Sequence, residues 1–219
     1  METDKLKKKV IEAGLLLVEK GLVTRSWGNI SVRVDDRFML ITPSGRSYDQ
    51  LRSDDLVKVD YYSGAYEGKI KPSSEYRLHA EVYRHRQEIN AVIHTHQMSA
   101  TTLAAARCEL PPIIDDMVQI IGPSVRVTKY TWAGTAKFAR QAVKAMHGRQ
   151  AVLLANHGAV CVGRSLDEAF VVAEVLEKAS RAFIEAKFLG GAKPIPNWRA
   201  GIMHQAFLKK YSKLEKKNR

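Results

Sequence analysis

Residues 151–163, AVLLANHGAVCVG, set two apolar runs on either side of a turn at Asn156-His157-Gly158. A link this short closes an antiparallel pair, because a parallel pair needs a crossover of about a dozen residues or more. The pattern recurs along the chain. NISVRV alternates like a strand, and RFMLIT follows it after the Asp35-Asp36 turn. TPSGR breaks that hairpin, and DLVKVD and NAVIHTH read as further strands. Hairpin-length links therefore dominate over regular strand-helix-strand crossovers, which predicts a mostly antiparallel sheet covered by helices.

The helices are predicted from apolar spacing. METDKLKKKVIEAGLLLVEKGL carries Glu12 and Glu19 inside its apolar stretch and no small-residue cleavage site, so it reads as an amphipathic first helix rather than a signal peptide. EYRLHAEVYRHR, MSATTLAAAR, TAKFARQAVKAM and SLDEAFVVAEVLEKASRAFIEAKF follow as helices, and SVRVTKY as a strand. At 219 residues without repeats or a linker, the expectation is one domain over 1–219.

Composition excludes several classes. A hydrophobic share of 45% with 26% charged residues is that of a globular chain, and no stretch approaches the ~20 apolar residues of a membrane span. Cys108 and Cys161 stand far apart with no CxxC, which argues against a disulfide framework or thiolate zinc site and favours the reducing cytoplasm. The net charge of +12 invites nucleic acid, yet its densest runs, Lys7-Lys8-Lys9 and the closing KKYSKLEKKNR, lack the interleaved aromatics that stack bases. They read as solvated helix faces and a tail; no nucleic acid and no membrane is expected as a partner.

AVIHTH carries the chemistry. His94 and His96 in a strand point to the same face with rings ~7 Å apart, close enough to share an ion. His157, at a turn after an apolar strand, can be aimed into a cleft. Three neutral imidazoles with an open position suit catalytic zinc. KPSSEYRLH adds Ser73 and Ser74 as predicted helix N-caps with Glu75 in the first turn, a geometry that also receives phosphate oxygens. SWGNIS and TPSGRS add glycine turns at Gly28 and Gly45, with Asn29 and Ser44 beside them, that let backbone amides approach a phosphate. His79, four residues after Glu75, is expected to pair with that carboxylate, support the site or pack structurally. His85, His147 and His204 read as surface residues, and Tyr130 and Trp132 as core, with the lining of a substrate pocket as the other reading.

In their order, SWGNISVR, ITPSG, KPSSE, AVIHTH and LLANHG closely resemble the class II aldolase/adducin family, especially its L-fuculose-1-phosphate aldolase type, over the chain from the first helix to about Lys187. The resemblance implies a three-layer α/β/α fold with a central, mostly antiparallel sheet. It implies Zn²⁺ on His94, His96 and His157, with Glu75 as displaceable fourth ligand and proton carrier, and substrate phosphate on Gly28, Asn29, Ser44, Gly45, Ser73 and Ser74. It further implies reversible cleavage of a ketose 1-phosphate to dihydroxyacetone phosphate and a small aldehyde, by a homotetramer with sites at subunit boundaries. Tyr211 resembles a tail tyrosine that protonates or orients substrate, and packing of the last helix is the other reading. Asp116, or Asp115 if the loop shifts, stands in PPIIDDMVQ where fuculose aldolases place a tyrosine. Epimerase relatives use an aspartate in that region, but they usually have Asp where this chain has Glu75. Decarboxylase relatives tend to have lysine where this chain has Ser74. Adducin-like interaction modules keep the fold without catalysis, and loss of the ligands, all present here, would mark them.

Overall fold

The structure is a computed structural model that describes residues 2–217, with side chains described from 3 to 210. Six strands form one sheet: β1 (Asn29–Arg33), β2 (Phe38–Ile41), β3 (Val57–Asp60), β4 (Ala91–Thr95), β5 (Ala151–Leu154) and β6 (Gly158–Gly163). Their order across the sheet is β3-β2-β1-β4-β6-β5, and every ladder is antiparallel. The Asn156-His157-Gly158 link makes the β5–β6 hairpin as expected, with Leu154 opposite Gly158.

Side-chain alternation explains the layers. Ile30, Val32, Leu40, Ala91, Ile93, Leu153 and Cys161 face one side, where α1 (Glu2–Glu19), α3 (Met98–Ala105) and α6 (Leu166–Ala186) cover them. Met39, Ile41, Val59, Val92, Val152 and Val160 face the other, under α2 (Tyr76–His85) and α5 (Ala136–Met146). Each fully buried Ile, Leu or Val contributes about 1.5–3 kcal/mol, and a one-residue slip of β1 would send Ile30 and Val32 to the wrong layer. Asn29 and Ser31 are the exceptions on β1: polar, buried, and turned toward α2. Helix starts are fixed locally, since Thr135 accepts from the Phe138 N–H and Ser165 from the Glu168 N–H, caps worth about 1 kcal/mol each.

Four expectations are corrected. SVRVTKY forms no ladder strand; Val125 bridges Leu110 and Val127 bridges Leu153 singly, so the segment lies along the β5 edge for only a few residues. Ser73 and Ser74 do not cap α2, whose N-cap is Glu75; Ser73 Oγ instead accepts from the Glu75 N–H. His204 is buried, on α7 (Asn197–Lys217), and its Nδ1 pairs with the Gln119 carbonyl of α4 (Asp115–Ile120), a short helix not read from the sequence. Tyr130 and Trp132 are exposed rather than core. Among the described residues no helix is long and apolar enough to cross a membrane.

Candidate metal centre and anion cleft

One end of the sheet gathers the chemistry. β1 and β4 pair with Asn29 opposite His94, and the β5–β6 turn lies beside them, so His94, His96 and His157 converge. His96 Nε2 lies 2.9 Å from His94 Nε2, and His157 Nε2 3.1 Å from it. The His94 and His96 rings are 4.6 Å apart, closer than a regular strand sets them, because His96 stands past the last residue of β4. Asn156, immediately before His157, adopts a left-handed φ of 57° that turns the chain tightly, and the Phe138 ring of α5 packs edge-on against His157.

Donor accounting tests whether a cation fits. A carbonyl only accepts, so His94 Nδ1, 2.8 Å from Ala159 O, carries the proton and neutral His94 presents a bare Nε2 to the cluster. That nitrogen faces two other imidazole nitrogens and, at 3.2 Å, Glu75 Oε2. Contacts so short need either Nε2–H donors on His96 and His157 or a cation that takes the place of those protons. Burial pushes the His94 imidazole down, but the Glu75 carboxylate outweighs it and raises His94 overall. Burial, then charge at His94 and His157, pushes His96 down to about 3. Three nitrogen donors backed by a carboxylate suit a divalent transition metal.

Glu75 is 8% exposed, and its Oε1 lies 3.0 Å from His157 Nε2. Burial pushes its carboxyl up; the imidazoles of His94 and His157 pull harder, holding it well below the usual carboxylate range. Asn29 Nδ2 donates to Glu75 Oε2 at 3.0 Å.

The histidine cluster opens into a cleft of about 270 Å³ whose wall includes Gly28, Asn29, Ser44, Gly45, Ser73 and Ser74 with Glu75, His96 and His157. Two loops are zipped together to build it: Ser44 N–H donates to the Lys71 carbonyl, and Ser73 N–H to the Thr42 carbonyl. Gly28, at φ 79°, passes so near β4 that a Cβ there would lie 2.5 Å from the His94 carbonyl oxygen. Ser26, Trp27, Ala133 and Gly134 also line the cleft and were not read from the sequence; only the glycine of AGT hinted at the last two.

Other expected site residues lie elsewhere. Asp116 is not among the described residues lining this cleft; its carboxylate pairs with Lys178 of α6 and accepts from the Met117 N–H. Asp115 begins α4. Tyr211 falls within α7, and its side chain lies outside the described residues. His85 and His147 are on the surface as expected.

A sheet between two helical layers bears a three-imidazole cluster beside a serine- and glycine-lined cleft, and comparison with known proteins gives the family. Residues 8–184 match the class II aldolase and adducin N-terminal domain, and the chain belongs to that family. It is 34% identical over 197 residues to the 5-deoxy-D-ribulose 1-phosphate aldolase of Bacillus thuringiensis serovar kurstaki, covering 90% of this chain and 92% of that one. It is 37% identical over 174 residues to a 5-methylthioribulose-1-phosphate/5-deoxyribulose-1-phosphate aldolase of Rhodospirillum rubrum, 80% and 78% of the two chains. The solved structure of an L-fuculose 1-phosphate aldolase superposes with a TM-score of 0.88 at 37% identity, over 93% of this chain and 96% of that one.

Proposed function

We propose that the chain, as a single domain over 1–219, is a zinc-dependent aldolase that cleaves a ketose 1-phosphate to dihydroxyacetone phosphate and a small aldehyde and runs the reverse condensation. The observation that carries this reading is the junction of an ionised, buried carboxylate and three imidazoles with a serine- and glycine-lined cleft. A phosphate held by the cleft turns sets the sugar carbonyl against the histidines. His94, His96 and His157 would hold the ion, with Glu75 within reach of the same position. A divalent ion there supplies electrophilic stabilisation of the negative charge that develops on substrate oxygen.

Glu75 moves the proton at carbon. In cleavage the C4 hydroxyl proton passes to the Glu75 carboxylate, directly or through water, as the C3–C4 bond breaks with its electron pair staying on C3, and Glu75 then delivers that proton to C3; in condensation both transfers run in reverse. The exposed rims of Ser44, Gly45 and Ser74 suit phosphate oxygens, while the Asn29 amide holds the carboxylate. Aldolase relatives acting on fuculose and 5-deoxyribulose 1-phosphates support a substrate of that size. We further propose a cytoplasmic homotetramer in which Asp116 and Tyr211 reach a neighbouring subunit's site, since Asp116 lies away from the cleft of its own chain.

The test is product analysis of the metal-loaded protein with fuculose 1-phosphate, 5-deoxyribulose 1-phosphate, ribulose 1-phosphate, ribulose 5-phosphate and acidic sugar phosphates. Dihydroxyacetone phosphate is expected from one or more of the 1-phosphates. Xylulose 5-phosphate or carbon dioxide as the sole product would instead indicate epimerase or decarboxylase chemistry.

A further inference from the structure

A buried polar ladder runs from the cleft into the layer between β1 and α2. On β1, Asn29, Ser31 and Arg33 share one face; along α2, its N-cap Glu75 lines up with His79 and Tyr83 in one stripe. The two repeats match, since two strand residues rise about 6.7 Å and four helical residues about 6 Å. Rung by rung, Asn29 meets Glu75, Ser31 meets His79 and Tyr83, and Arg33 donates to the Tyr83 and Arg86 carbonyls at the helix C-terminus.

The contacts have one direction. A carboxylate only accepts, so Asn29 presents Nδ2 to Glu75 Oε2 and Oδ1 to His79 Nε2, 2.5 Å away. His79 Nε2 must therefore carry a proton. His79 is fully buried, and in neutral form its Nδ1 accepts, at 2.7 Å, from the Ser31 hydroxyl, which in turn accepts from the Tyr83 hydroxyl at 2.8 Å. The hydrogen bonds run from Tyr83 through Ser31, His79 and Asn29 and end on the carboxylate.

We infer that His79 is a positioning residue for the reaction: locked as the Nε2–H tautomer by Ser31 and Tyr83, it holds the Asn29 amide so that Nδ2 faces Glu75. Without it the amide is free to turn its oxygen toward the carboxylate, and Glu75 loses the donor that fixes one of its two oxygens. The inference concerns the proposed aldolase site and rests on that reading for its catalytic consequence; the tautomer does not.

Three variants and one spectrum test it. Glutamine offers one donor and one acceptor at nearly the imidazole spacing, so His79→Gln is expected to keep kcat within about threefold. His79→Leu is expected to lower kcat about 10- to 100-fold, the range for supporting groups at metal sites, with KM and bound metal changing less than about threefold. Should His79→Leu fail to fold, Ser31→Ala removes the hydroxyl that fixes the tautomer and is expected to lower kcat in the same sense. Leucine and glutamine variants that are equally active, or equally defective while folded, overturn the inference, as does a folded Ser31→Ala protein with unchanged kcat. In ¹⁵N-histidine-labelled protein, the resonances lost in His79→Gln should report protonated Nε2 and unprotonated Nδ1. The opposite tautomer overturns the inference even if the wild type cleaves sugar phosphates, whereas the expected tautomer in a protein without aldolase activity overturns the functional reading alone.

Discussion

Glu75 Oε1 lies 3.0 Å from His157 Nε2 across 82 residues of chain, while its Oε2 takes a hydrogen bond from Asn29. A carboxylate so held is placed for the proton transfer proposed for it. Replacing it with the isosteric amide keeps the shape and removes the base. Glu75→Gln is expected to slow hydrogen exchange at the hydroxymethyl carbon of dihydroxyacetone phosphate about 10²- to 10⁴-fold, with phosphate affinity within a few-fold of wild type. Deuterium wash-in followed by NMR makes the measurement. Exchange at the wild-type rate would assign the proton to another group.

The bare Nε2 of His94 gives a second expectation, because its Nδ1 proton is committed to the Ala159 carbonyl. Elemental analysis of the purified protein should find about one transition-metal ion per chain. Dialysis against a chelator should abolish turnover and added Zn²⁺ restore it. His96→Ala, which removes one of the three donors and leaves the buried His94 in place, should weaken metal binding by at least tenfold in a competition titration. Full turnover after exhaustive metal removal would refute the zinc reading.

His79 makes a prediction about stability. Burial, then charge at His94, pushes its imidazole down to about 3, against an unfolded value near 6.5. Between those values the unfolded chain takes up a proton that the native protein refuses, so stability falls as pH is lowered through that window, by at most about 1.4 kcal/mol per pH unit for this group. His96 contributes in the same sense in metal-stripped protein. Urea titrations of the metal-free protein from pH 7 to 4 should show a shallower loss in His79→Gln than in wild type. Equal slopes would mean that His79 titrates normally in the fold.

Much of this fold was legible because each strand alternates and each hairpin link is short. The β5–β6 turn follows from those local rules, whereas His96 lies just past β4 and comes nearer to His94 than strand alternation would set it. SVRVTKY misled because it alternates like a strand, yet only a short piece of it meets the edge of β5. His204 sits in charged helical surroundings in sequence, and only the packing of α7 on α4 buries it. The residue types of the metal centre were readable; their convergence was not, since Glu75 meets Asn29 across 46 residues and His94 meets His157 across 63. The β1–α2 ladder had a sequence signature, polar residues two apart on a strand and four apart on a helix, but only the register of one on the other makes them partners.

The last prediction concerns how His157 is aimed. Asn156 holds φ at 57°, where most side chains are strained by about 1–2 kcal/mol and asparagine or glycine is tolerated. Its Oδ1 also accepts from Arg107 Nε and Nη2 at 3.2 and 3.1 Å, and its N–H donates to the Ala104 carbonyl. Asn156→Gly keeps the backbone geometry and loses only the exposed side-chain bonds, so the urea unfolding free energy should change by less than about 1 kcal/mol. Asn156→Val adds a β-branched side chain in the left-handed region and should cost about 2 kcal/mol or more. If the valine turn relaxes instead, His157 moves, and the cost should reappear as weaker metal binding while the glycine variant binds normally. Glycine and valine variants that match in both stability and metal affinity would show that the turn does not hold His157 in place.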